Sequence, residues 1–330
     1  MITELLKSAY HLLLQEHPTS LFVVWQKKIK MMKGFEIYSA LLKKYAENIF
    51  VNICPYQGTG DVYLAAGYFN KSSFKSEPHV FCVIGKSNYK IARLFGIENI
   101  EVLSKKEMEL LFFFSVFAGL NKTNIHILHP NPPYDYAGVI DCFRNINRLV
   151  FTDIIGYGAF NCKDSKNIAL PVFSECDESM QRLFEQNGLI KGRTVLFAPY
   201  SYTMATYSPL FWKKLAEKLK EMGYTVCTNI GTEKEQAVEG TVGVFLRYEE
   251  LSSFLKMAGY FIGVRSGLCE VVSSIPCKKI ILYGFKSHWG FGDDLDYFSL
   301  KNMGLCNDAV ELRLEEIDFY HVIKKIEEEL

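Results

Sequence analysis

Residues 260–284 read YFIGVRSGLCEVVSSIPCKKIILYG, and their alternation decides the fold. Tyr260–Ser266 and Lys278–Gly284 are short, continuous apolar runs, and GLCEVVSS between them has helical character. Strands that are apolar throughout are buried on both faces, and strand, helix, strand in that order is a crossover between parallel strands.

The same design extends in both directions. TVLFAPYS (Thr194–Ser201), TVCTNIG (Thr225–Gly231) and VGVFLRY (Val242–Tyr248) are predicted strands, with PLFWKKLAEKLKEM and EELSSFLKMAG as helices. The first of these helices has Ser208 to cap it, Pro209 in its first turn and Gly223 to stop it. EEIDFYHVIKKIEEEL reads as a terminal helix. Upstream, IFVNICPY (Ile49–Tyr56), HVFCVIG (His79–Gly85), NIEVL (Asn99–Leu103) and NIHILHP (Asn124–Pro130) are strands. They alternate with helix-like SNYKIARLFG, SKKEMELLFFFSVFAG and YDYAGVIDCFRNI. The expectation is α/β: two doubly wound, Rossmann-like domains facing a cleft. Domain one spans 1–165, with a helical lead-in over 1–48 carrying Leu5, Leu6, Tyr10, Leu13 and Leu14 at helical spacing; domain two spans 166–330. Asp153 to Gly192 breaks the rhythm and reads as a connection containing the helix ESMQRLFEQNG.

Composition narrows the function. The 330 residues hold 37 Lys plus Arg against 37 Asp plus Glu, so the formal net charge is zero. A nucleic-acid binder shows a basic excess, and a disordered chain lacks the 49% apolar content found here. The nine cysteines form no C-x-x-C pair and read as reduced thiols. The opening MITELLKSAYH turns polar too soon for a signal peptide, and LLFFFSVFAGL (110–120) is too short to cross a bilayer. A buried helix and a cytoplasmic protein are expected.

Ligands of open α/β sheets bind outside the carboxyl ends of the strands, which singles out three loops. After IFVNICPY come Gly58, Thr59, Gly60 and Asp61. Tyr63 stands where a dinucleotide fingerprint needs its third glycine, so no NAD or FAD is expected. Asp61 reads either as a helix cap or as a general base. After YFIGV, a helix opens near Arg265, Ser266, Gly267, Leu268 and Glu270. Its N–H groups with Arg265 suit a diphosphate, the alternative for Arg265 being a salt bridge to a cleft-lining carboxylate. Glu270 reads as a ribose-hydroxyl acceptor or a capping-box residue. After TVLFAP, Ser201 and Thr203 offer hydroxyls. No paired-histidine metal spacing occurs, and structure alone accounts for His126 and His129.

These parts, in this order, resemble the heptosyltransferase-like, glycosyltransferase family 9-like enzymes of GT-B fold. The resemblance lies in residues 194–284, where an IG-x-x-SG loop opens a helix before a strand ending in YG, and in GTGDVYL at 58–64. It implies a metal-independent, inverting glycosyltransferase without a cofactor, taking a nucleotide-diphosphate sugar as co-substrate. The acceptor implied is a hydroxyl of a bacterial cell-surface glycan or lipid-linked saccharide, with peripheral membrane association through such an acceptor. Asp61 matches the family's catalytic aspartate, and the loop containing Asn229 and Gly231 matches the nucleobase position. Lys286 and His288, after the last core strand, read either as groups flanking donor or acceptor or as an ordinary surface loop. Arg265 replaces a family aspartate, Glu270 replaces a histidine, and PYSYTMATYS lacks the family's lysine. The phosphate-pairing charge is therefore expected at Arg265, and the donor need not be ADP-heptose. A sugar-nucleotide epimerase or a catalytically silent scaffold are the alternatives.

Overall fold

The computed structural model describes residues 21–118, 124–130, 149–202, 207–284, 294–313 and 319–330. The chain divides into two compact units, one of residues 1–141 with 154–169 and one of residues 142–153 with 170–330.

The N-terminal unit holds a parallel sheet in the order β3-β2-β1-β4. Its strands are β1 (Phe50–Ile53), β2 (His79–Ile84), β3 (Ile100–Leu103) and β4 (Ile125–Ile127). Val51 pairs with Val80 on one side and Ile125 on the other, and Val51, Ile53, Val80 and Cys82 are fully buried or nearly so. The connecting helices are α2 (Thr59–Lys71), α3 (Gly85–Leu94) and α4 (Lys105–Ala118). The apolar run at 110–120 thus lies in a buried helix as far as Ala118, with Leu111, Phe112, Phe114 and Ser115 inside. A reciprocal pair starts α4: Ser104 N–H donates to Glu107 at 2.8 Å, and Glu107 N–H donates to the Ser104 hydroxyl at 3.2 Å. The bonds from Ser104 hold the Glu107 carboxyl below its usual range.

The lead-in helix α1 (Leu21–Lys44) belongs to this unit's core. Met31, Tyr38 and Leu41 join Met108, Leu111, Phe112 and Phe114 of α4 in one cluster with the strands. Gly34 permits the approach. A Cβ at Gly34 would collide with the carbonyl of Leu110 and lie 2.5 Å from Phe114 Cβ. His126 sits between the rings of Phe50 and Phe74, whose centroids lie 4.8 and 4.2 Å away, and bonds Asn52 Oδ1 at 3.2 Å. Burial holds its imidazole below the usual range, a structural histidine as expected.

The C-terminal unit holds a parallel sheet in the order β10-β9-β8-β5-β6-β7. The helix α5 (Phe151–Phe160) precedes it, its first turn counted with this unit, and α6 (Asp177–Gln186) follows. The strands are β5 (Thr194–Ala198), β6 (Thr225–Asn229), β7 (Val242–Val244), β8 (Gly259–Val264), β9 (Lys278–Tyr283) and β10 (Val310–Arg313). The helices are α7 (Pro209–Glu221), α8 (Leu251–Ala258), α9 (Gly267–Ser273), α10 (Asp294–Phe298) and α11 (Phe319–Glu329). Phe211, Trp212, Leu215 and Leu219 of α7, with Val322, Ile323 and Ile326 of α11, cover one sheet face. The Ser208 hydroxyl accepts from Phe211 N–H at 3.2 Å, Pro209 opens the helix and Gly223 follows it with φ +85°, all as expected.

Several elements depart from expectation, among them VGVFLRY, which is strand only over Val242–Val244. Phe151–Phe160 is a helix rather than connection, its two glycines having hidden the period. The strand β10 reads VELR, which alternates charge with apolar residues because it is an edge strand. IFVNICPY is strand only as far as Ile53, and Cys54–Tyr56 already belong to the loop. The helix expected over YDYAGVIDCFRNI and the lead-in before Leu21 lie outside the described residues. Among the described residues, no helix is long and apolar enough to cross a membrane, and eight cysteines carry free thiols.

Gly34→Ala tests the helix contact. Alanine gains about 1 kcal/mol of helix propensity over glycine, while overpacking against a backbone carbonyl costs about 1–3 kcal/mol. The expected outcome is a net loss of stability in urea unfolding; a gain would show that α1 does not approach α4 this closely.

Candidate functional site

In each sheet the strand order reverses once, between β1 and β4 and between β5 and β8. The six-stranded order, read from β7, is the dinucleotide-fold sequence 3-2-1-4-5-6. At a reversal, loops from the two carboxyl ends leave toward opposite faces and open a crevice. All three loops chosen from the sequence leave from these strands, β1, β5 and β8.

At the first reversal, β1 runs out at Ile53 and α2 starts at Thr59. Gly58 is the extended N-cap, at φ −75° and ψ 135°, and provides no side-chain cap. Asp61 is the third residue of the helix and half-buried. Its carboxylate folds back over the helix start, since a Cβ on Gly58 would lie 2.6 Å from Asp61 Oδ2. The helix dipole favours negative charge at that end. The capping and base readings therefore draw on the same position, and a side chain at 58 would displace the carboxylate from it. Beside this loop lies a pocket of about 170 Å³. Tyr56 from the loop, Ile84 from the end of β2, and Met108 and Phe112 of α4 give it apolar walls, and the loop also contributes Gln57. Lys105, Glu109 and His129 add polar groups, and the His129 ring lies 5.5 Å from that of Tyr56. Sequence reading did not find this pocket, because α4 reads there simply as a buried helix.

At the second reversal, the structure corrects Arg265. Its side chain turns inward and is 4% exposed. Nη1 and Nη2 donate to the two carboxylate oxygens of Glu270 at 2.9 and 2.5 Å. Nη1 also bonds Ser266 O at 2.9 Å, Nε bonds Phe298 O at 2.9 Å, and Nη2 faces Met303 Sδ at 4.0 Å. A guanidinium has five N–H donors, and each is directed at a protein atom. Burial works against the cation, but Glu270, Tyr283 and Cys269 together push Arg265 above its usual range. Arg265 is thus the partner of Glu270 rather than of a phosphate, and Glu270 neither closes a capping box nor presents itself to a ribose. Ser266 makes no side-chain cap either. What faces outward are Ser266, Gly267 and Leu268, half-buried at the helix start, where the first N–H groups lack intrahelical acceptors. Burial pushes the Cys269 thiol up to about 11, which leaves it no nucleophile at neutral pH.

The loops after β5 and β6 are joined to each other. Gln236 O accepts from the Tyr200 hydroxyl at 2.5 Å, and Tyr202 reaches Glu235 at 3.5 Å. Glu235 also accepts from Gly231 N–H at 2.6 Å, so the backbone donor expected to read a base edge is taken. The Oδ1 of Asn229 is buried at the end of β6 with no hydrogen bond among the described residues. Ser201 is half-buried in the same loop cluster. Thr203, Lys286 and His288 lie outside the described residues.

A double-mutant cycle tests the buried pair. Arg265→Met alone should cost about 3–5 kcal/mol, because it strands a buried carboxylate. Arg265→Met with Glu270→Leu should be far less destabilising than the sum of the singles, read by denaturant unfolding. Additive effects would place the guanidinium elsewhere.

No protein-family model matches the sequence, and no curated protein matches it either. Solved structures do match. The ADP-heptose LPS heptosyltransferase II of E. coli aligns over 85% of this chain and 98% of its own, at TM-score 0.53 and 12% identity. A glycosyl transferase of family 9 from Veillonella parvula aligns over 84% of this chain and 88% of its own, at TM-score 0.51 and 16% identity. At such identities the likeness is one of fold, and the chain has the GT-B fold of these heptosyltransferase-like structures.

Proposed function

We propose that the protein is a glycosyltransferase that moves a sugar from a nucleotide-diphosphate donor to a hydroxyl of a saccharide acceptor. The observation that carries this reading is Asp61. In a chain of GT-B fold, it stands at the sheet reversal of the N-terminal unit, in the first turn of α2, which follows the loop whose Tyr56 and Gln57 line a pocket.

In this reading Asp61 takes the proton from the acceptor hydroxyl as its oxygen attacks the anomeric carbon. The bond to the donor diphosphate breaks, and the nucleoside diphosphate leaves with the electron pair, inverting the configuration. Backbone N–H groups at Ser266, Gly267 and Leu268 would meet the departing negative charge. Arg265 would contribute from behind, by holding the chain that presents them. Ser201 and Asn229 would face the nucleoside. The acceptor would enter the pocket with Tyr56, Gln57 and Phe112, whose mixed lining suits a saccharide carrying an apolar neighbour, as in a lipid-linked or cell-surface glycan. The transfer would need no metal, and a chelator should leave turnover unchanged.

Two measurements test the proposal. Thermal shift against UDP, GDP, ADP and CMP should give one clear responder; no response to any would remove the donor site. Asp61→Asn should keep that response and its unfolding midpoint while losing transfer by about 100-fold or more. Near-normal turnover in the Asp61→Asn variant would remove Asp61 from the chemistry.

A further inference from the structure

We propose that Asn88 is the positioning residue for the loop that carries Asp61; the inference rests on the reading of Asp61 as the base. Asn88 lies in the first turn of α3, just beyond β2, and is 2% exposed. Its Nδ2 donates to three backbone carbonyls: Ile84 at 3.0 Å, Tyr56 at 3.1 Å and Gln57 at 3.4 Å. The bond to Ile84 is local, four residues back in the chain. The other two cross from the β2–α3 junction to the β1–α2 loop, immediately before Gly58.

The chemistry of the amide makes this arrangement one-sided. Nδ2 carries two N–H bonds shared among three oxygens, while Oδ1 is buried with no hydrogen-bond partner among the described residues. Turning the amide over would set Oδ1 against three carbonyl oxygens, so the orientation follows from the partners. A buried acceptor left idle is unfavourable, and an apolar side chain of the same size would avoid it. What the asparagine supplies in return is the tie to Tyr56 and Gln57.

That tie sets where α2 begins. The loop leaves the sheet at Cys54, whose N–H is bonded to Cys82 O at 3.0 Å, and passes Pro55, which has no N–H to offer. Asn88 then fixes the next two carbonyls. Gly58 follows, and Asp61 rests its carboxylate on Gly58. An error of about 1 Å in a reacting group is enough to lower a rate roughly 100-fold, so a loop held at two carbonyls by one amide controls the base without touching substrate.

The test uses the full chain and two variants. Asn88→Asp keeps the size and the idle acceptor but turns the working half into a carboxylate oxygen facing carbonyls. Asn88→Ser leaves a hydroxyl that reaches Ile84 O and not the loop. Both should lower kcat by roughly 10- to 100-fold, with KM for the nucleotide sugar and the nucleotide thermal shift unchanged. Both should also speed hydrogen exchange of the amides at residues 58–64. Normal kcat in either folded variant overturns the proposal, as does unchanged exchange at 58–64. A wild-type chain with no transfer activity would instead count against Asp61 as the base, and exchange at the loop would still decide whether Asn88 holds it.

Discussion

A guanidinium that is 4% exposed costs several kcal/mol to remove from water unless every donor finds a partner. Arg265 stands at the end of β8, the strand beside the sheet reversal of the C-terminal unit, and its neighbourhood is arranged to meet that demand. Glu270 takes the two ends of the fork, and Phe298 O takes Nε. The Tyr283 hydroxyl donates its one hydrogen to Glu311 at 2.5 Å and lies 3.2 Å from the same Phe298 O. The other oxygen of Glu311 accepts from Ser299 at 2.6 Å, and Leu300 N–H donates to Glu311 at 2.7 Å. One buried ion pair therefore extends into a chain of bonds that ties β8, β9 and β10 to the segment after α10. Such networks reinforce their members in a low-dielectric interior and are costly to leave half made.

This gives the outward-facing backbone a rigid support. Ser266 to Leu268 lie directly between the two members of the pair, so the pair fixes the helix start that would meet an anion. In the proposed reading the donor diphosphate would meet placed N–H groups rather than an unpaired cation, in a chain whose formal net charge is zero. The N-terminal unit follows the same logic with neutral parts. Asn88 holds the loop carbonyls, Gly58 makes room for a carboxylate, and Gly34 lets α1 press α4 against the sheet beside the pocket. In both units, residues behind the surface determine what the surface presents.

How much of this is legible in the chain depends on the range of the interaction. The strand and helix alternation is read from neighbours within one element, and the caps of α7 come from residues next to each other. The place of the three loops is legible too, since the strands they follow, β1, β5 and β8, flank the reversals. The role of Arg265 is not legible, because an arginine at a helix start has the same local pattern whether it faces a phosphate or a glutamate five residues on. Folding does give Arg265 an ion pair, but with the buried Glu270 rather than with a carboxylate lining a cleft. Asn88 and Glu311 carry no local signal at all. Asn88 sits in a surface-like SNYK, and Glu311 in an edge strand whose charges hide it. Their partners are brought near only when parallel strands assemble.

The sequence by itself determined that this is a two-part α/β protein of parallel sheets, where Asp61 would lie, and that no dinucleotide fingerprint is present. Those conclusions rest on periodicity and spacing, which act over a few residues. Tertiary structure alone decided which way these buried polar side chains turn: Arg265 inward to Glu270 and Asn88 to the carbonyls before Gly58. The reason is physical. A buried donor must take the acceptor that the packed strands set within about 3 Å, and that acceptor is chosen by the assembled sheet rather than by the neighbouring sequence.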